Sequence, residues 1–264
     1  MTTTVLLLSA WRFDPIAVLG CAAAIAAYAA APHAKSASRL GFLSAATLVL
    51  VVALVSPLGT LADGYLFSAH MLQHLLLLLI VPPLALLGVS GQPRRGTHAG
   101  LAARAVPLAW VAGVSAMWLW HAPLLCDAAT RSGTLHRLQE ISLVVLGLAF
   151  WWPILAPREE SRLAPLAGVI YLFTACTACT VLGIAITFSP VEVCSVFAHP
   201  TDRLGALSLL RGGWGLTPER DQQLGGLFMW VPACLVYGVG ILGILARWYR
   251  APEDAAPAAL EEAR

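Results

Sequence analysis

Seven apolar runs, each close to the roughly 20 residues that a bilayer-spanning helix needs, leave this chain few ways to fold. They cover Pro15–Ala31, Leu40–Pro57, Phe67–Val89, Ala105–Leu125, Leu138–Leu155, Pro165–Phe188 and Leu224–Trp248. Of 264 residues, 59% are hydrophobic and only 11% charged, and mean hydropathy is +0.78. Soluble domains carry about 25% charged residues, so a soluble globule is excluded. The expected fold is all-α, a polytopic membrane protein built as one bundle of seven transmembrane helices over residues 1–250. The stretch 251–264, rich in Ala, Pro and Glu, reads as a disordered cytoplasmic tail.

Net charge is +2 and Lys35 is the sole lysine, so no basic stripe is present to neutralise a phosphate backbone. Nucleic acid is therefore excluded as a partner, and the lipid bilayer is the surrounding phase. Met1–Ala10 is apolar but short, and Arg12 follows it instead of preceding it, which argues against a cleaved signal peptide. Positive charge near helix ends marks the cytoplasmic side. Lys35, Arg39, Arg94, Arg95, Arg104, Arg158, Arg162, Arg247, Arg250 and Arg264 fall on one side, against Arg12, Arg131, Arg137, Arg203, Arg211 and Arg220 on the other. The expected N-terminus is outside and the C-terminus cytoplasmic. The connection Ser189–Gln223 is long enough to carry function.

Ionisable groups within a membrane bundle are costly and mark function by default. His70 and His74 are four residues apart on the third run, hence on one helix face, a spacing that suits two ligands to one ion. His121 closes the fourth run and His136 opens the fifth. With the orientation above, all four imidazoles meet near the outer surface. Imidazole suits copper, zinc, iron and nickel, and thioether adds a bias toward Cu(I), so Met71 and Met229 are possible auxiliary ligands. The bland alternatives are hydrogen bonding between helices for His70 and His74, and capping or solvation for His136. His33 and His98 lie on the cytoplasmic side, and His199 in the long outer loop is either a surface residue or an entry-point ligand.

Asp221, ahead of Gln222 and Gln223 at the start of the seventh run, either caps that helix or accepts a hydrogen bond from a ligating imidazole. Asp63, beside Gly64, reads as a turn residue, and Asp127 is placed much like Asp221. Cys176 and Cys179 form a C-x-x-C at mid-bilayer, better suited to close helix packing than to metal. Cys126 and Cys194 are both expected outside, where a disulfide can form. Pro82-Pro83 and Pro232 should kink their helices. Trp110, Trp118, Trp120, Trp151, Trp152, Trp230 and Trp248 suit an interfacial belt.

Four segments in order, Phe67–Gly88 (FSAHMLQHLLLLLIVPPLALLG), Trp120–Ala128 (WHAPLLCDA), Phe150–Pro153 (FWWP) and Asp221–Pro232 (DQQLGGLFMWVP), resemble the CtaG family. These are seven-helix membrane assembly factors associated with caa-type cytochrome c oxidase in bacteria, and the resemblance covers most of the chain from the second run onward. It implies a role without a catalytic step in making active oxidase, with oxidase subunits as partners and copper handled on the outer side of the bacterial cytoplasmic membrane. It places the family's characteristic histidines at His70, His74, His121 and His136 and its Asp-Gln pair at Asp221 and Gln222; beside these candidates, Gln73 and Met71 on the third run are read as auxiliary groups. Cys126 departs from the pattern, which has an aromatic residue there.

Two other readings fit the residues. In a haem-carrying redox protein two helical histidines ligate one haem, although histidines at both membrane depths would then be expected. In a copper permease the cluster is an entry site, although no mid-membrane acidic residue marks a path. A retinal protein is excluded, because the lysine that would bind retinal is missing from the last helix.

Overall fold

The computed structural model describes residues 2–30, 36–89, 99–157 and 161–261, with 99–104 and 251–261 as backbone only. His33, His98, Lys35, Arg94, Arg95, Arg158 and Arg264 lie outside the described residues. Every described regular element is helical.

Chain entry into helices follows local sequence. Thr2 caps α1 (Thr3–Ser9), and Asp14 accepts from the Ile16 and Ala17 amides at the head of α2 (Pro15–Ala29). Ser36 caps α3 (Ala37–Val55), and Ser56 caps α4 (Pro57–Ala62). Proline at the first helical position of α2 and α4 forfeits an amide that would have no intrahelical partner anyway. Then come α5 (Phe67–Leu75), a π-helical turn Leu76–Ile80 and α6 (Val81–Val89), which together make one span. The remaining elements are α7 (Ala99–Trp120), α8 (Pro123–Arg131), α9 (Gly133–Leu155), α10 (Pro165–Thr187), the short α11 (Ser195–Ala198), a second π-helical turn Ser208–Gly213 and α12 (Pro218–Glu261). The backbone of α12 stays helical past Arg250.

Among the described residues five helices are long and apolar enough to cross a membrane: Ala37–Val55, Phe67–Val89, Gly133–Leu155, Pro165–Thr187 and Pro218–Arg250. A sixth crossing arises if α7 and α8 count as one span, broken by a 75° bend. The sequence reading had drawn Ala105–Leu125 as one uninterrupted helix. The break has a local cause, because a residue before proline is pushed out of the helical region and Ala122 takes φ −62, ψ 128 before Pro123. The remaining apolar run is the 15-residue α2, which at 1.5 Å per residue reaches about 22 Å, short of the ~30 Å hydrocarbon thickness.

The kink expected at Pro82-Pro83 takes the form of the π turn. Each proline withholds an amide and presses on the carbonyl four residues earlier, at Leu78 and Leu79, where the helix widens. Gly147 of α9 packs into that turn: a Cβ there would sit 2.7 Å from the Leu78 carbonyl oxygen and 2.7 Å from Pro82. Around this contact the core gathers Leu77, Met71, Leu143, Phe150, Leu172 and Met229. The most extensive helix pair is α10 on α12, with α12 also lying along α5. Trp118, Trp152 and Trp248 face outward as interfacial anchors do, whereas Trp151 is buried against Phe150 and Tyr237 at ring separations of 5.6 and 6.2 Å.

A buried file of imidazoles beneath a disulfide-tied roof

His70 and His74 project from one face of α5 and are almost fully buried, 0% and 3% exposed. The head of α5 is held from a distance. Its N-cap residue, Leu66, offers no side-chain acceptor; instead the Phe67 and Ser68 amides donate to Asp221 of α12 at 2.8 and 3.0 Å, and the Ser68 hydroxyl donates to it at 2.6 Å. Asp221 thus reaches no imidazole; it caps the helix that carries two of them. Gln222 likewise serves the backbone, accepting from the Val193 amide at 2.9 Å and donating to the Val191 carbonyl at 3.1 Å.

All four histidines singled out in the sequence do come together, in a file. Ring centroids run His136 to His70 at 5.9 Å, His70 to His74 at 4.1 Å and His74 to His121 at 5.2 Å. His121 sits in the break between α7 and α8. Its Nδ1–H donates to the Met117 carbonyl, which can only accept, so Nε2 carries the lone pair and faces the Met71 sulfur at 2.9 Å. The ring nitrogens of His70 and His74 are buried and make no hydrogen bond of ordinary geometry; their polar neighbours are the Ala62 backbone for His70 and the Gln139 side chain for His74. A cavity of about 10 Å³ lies beside His74, His121, Met117 and Met229. Gln73, fully buried, turns away from this group and donates to the Ala53 carbonyl at 3.0 Å.

At the His136 end of the file an ionic network takes over, and here the sequence reading missed most of the participants. Glu140 is 1% exposed, one helical turn after His136 inside the α9 span. Its oxygens meet Arg137 at 2.8 Å, His136 Nε2 at 3.3 Å and Arg12 at 3.6 Å. Asp63 is more than a turn residue, pairing with Arg12 and standing 2.7 Å from His136 Nε2. Asp14 pairs with Arg137 while capping α2. Arg12 further donates to the Leu54 carbonyl at 2.7 Å. Burial lowers its guanidinium from the ordinary value, and the Glu140 carboxylate opposes that shift. The available signal was the His136, Glu140 spacing, which sets both on one helix face.

The long connection folds over the file as a roof. Phe197 of α11 lies 5.2 Å from His70 and 5.7 Å from Phe67, ring to ring. A Cys126–Cys194 disulfide ties this segment to α8, as the sequence allowed. Asp127 adds to the tie by accepting from the Ser195 amide at 2.9 Å, and Arg211 donates to the Phe197 carbonyl at 2.6 Å. Beside the roof opens a vestibule of about 800 Å³ lined by Asp63, His136, Arg137, Arg131, His199 and Arg203. The C-x-x-C cysteines do not face each other: Cys176 meets Cys234 of α12 at 3.0 Å, and Cys179 donates to the Met229 carbonyl at 2.8 Å.

An uncharacterized protein of Mycobacterium leprae (strain TN), ML1998, is 25% identical over 276 residues, which cover 91% of this chain and 40% of that protein. The chain therefore spans less than half the length of this curated relative. No solved structure matches it. The family model described as cytochrome c oxidase caa3 assembly factor matches residues 21–251. On that match, which takes in every element from α2 to the membrane-crossing part of α12, the chain belongs to the caa3 assembly factor family.

Proposed function

We propose that this protein assists assembly of cytochrome c oxidase by taking copper as cargo at His70, His74 and His121, with Met71 and Met229 beside them, and that it performs no catalytic step. The observation that carries the reading is the buried His70 and His74 pair, whose ring nitrogens make no hydrogen bond of ordinary geometry. Each unsatisfied buried polar atom costs about 1–3 kcal/mol, a cost that a bound ion or water removes. Imidazole with thioether is a donor set that favours Cu(I). The adjoining cavity, about 10 Å³, has the size of one water or ion and gives no room for a haem macrocycle.

The same reading takes residues 1–250 as one domain of seven crossings in the bacterial cytoplasmic membrane, counting the short α2 and the bent α7–α8 pair. A disulfide belongs to an oxidising compartment, so Cys126–Cys194 supports an outer position for the roof and, with seven crossings, an outer N-terminus and a cytoplasmic C-terminus. Oxidase subunits are the partners to which the copper passes.

Metal content and the visible spectrum of the detergent-purified protein test the proposal. About one copper per chain, no haem band, and loss of the copper in His70→Ala/His74→Ala is the expected result. A folded wild-type protein that takes up no copper under reducing conditions would sink it.

A further inference from the structure

We infer that a second cation site, chemically distinct from the buried imidazole and thioether group, lies at the floor of the outer vestibule and is formed by His136 Nε2, Asp63 Oδ1 and Glu140 Oε1. Among the described residues these three donor atoms lie within 4.8 Å of one another. Each carboxylate is divided between two tasks. Asp63 gives Oδ2 to Arg12 and turns Oδ1 to His136, while Glu140 gives Oε2 to Arg137 and holds Oε1 among His136, the Arg12 guanidinium at 3.6 Å and the Gln73 amide at 3.5 Å. The arginines thus orient the carboxylates much as outer-shell partners orient the ligands of a metal site.

His136 Nε2 stands 2.7 Å from Asp63 and 3.3 Å from Glu140, yet makes a hydrogen bond to neither. In the direct contact network Asp14, Asp63 and Glu140 pair with Arg12 and Arg137, and Arg131 and Arg203 stand farther along the vestibule wall. One imidazole with two carboxylate oxygens is a harder donor set than the inner group and suits a divalent first-row ion, with Cu²⁺ the strongest binder of that series. Asp63 and His136 line the vestibule, so the site is reached from its open side, and the His136 ring then stands next to His70 in the file. The inference rests on the copper-cargo reading only for what lies beyond His70.

Cu²⁺ titration of the full detergent-solubilised chain, followed by electron paramagnetic resonance, tests it. His199→Ala is the reference protein, because His199 is an exposed imidazole on the same vestibule. One equivalent of Cu²⁺ coupled to a single nitrogen is expected. Asp63→Asn should weaken it about tenfold or more, and His136→Ala should remove the nitrogen coupling. Cu(I) affinity in Asp63→Asn, measured against a Cu(I) chelator, should stay within about twofold. Unchanged Cu²⁺ affinity in Asp63→Asn, or nitrogen coupling that survives His136→Ala, overturns the inference. Cu²⁺ binding as expected with no Cu(I) binding would leave this site standing and remove the copper-cargo reading.

Discussion

Asp221 does for another helix what a capping residue ordinarily does for its own, from 153 positions away. Asp221→Ala would leave the Phe67 and Ser68 amides buried without an acceptor, at roughly 1–3 kcal/mol each. The expected outcome is a thermal midpoint several degrees lower and, on the copper-cargo proposal, weaker copper retention, since the turn that fails carries His70. Asp221→Asn keeps one acceptor oxygen and should fall between. A thermal melt of the alanine variant that overlays wild type would count against this role. The residue itself was legible in the sequence as a cap or an imidazole partner, but its client was not, because sequence spacing is silent on which helix head lies nearby in space. His136 and Glu140 differ, being one turn apart on α9 and open to reading as a pair. Asp63 and Arg12 come to them only through the fold of three separate segments.

At the level of elements, apolar run length located every long helix, and proline placement explains both the bend at Ala122 and the π turn before Pro82. What run length left out is how closely the helices pack. Gly226 of α12 faces α10 so tightly that a Cβ would lie 2.6 Å from the Thr187 amide nitrogen and 2.8 Å from the Gly183 carbonyl oxygen. Those are backbone atoms with no rotamer to yield, the small-residue arrangement by which membrane helices approach one another. Gly226→Ala should therefore cost about 1–3 kcal/mol by forcing α10 and α12 apart. Because Asp221 lies on the same helix, the cap on α5 should loosen with it. A detergent unfolding curve for Gly226→Ala that coincides with wild type would show that the interface has slack.

Across the whole molecule, the disulfide closes a loop between positions 68 apart and joins the roof to α8. Cross-links of this span typically stabilise by about 2–4 kcal/mol. Cys194→Ser should lower the thermal midpoint and open Arg203 to trypsin, and reductant added to the wild type should reproduce both effects. Equal trypsin resistance with and without reductant would show that Asp127, Arg211 and Gln222 hold the roof unaided. The cap on α5 also sets an order of events during synthesis. Its acceptor is encoded about a hundred and fifty residues after the helix it serves, so a nascent chain displays His70 and His74 long before Asp221 emerges from the ribosome. A half-made chain has the imidazoles but not the seat that aims them, and on the copper-cargo proposal competence to hold the ion arrives only with the last span.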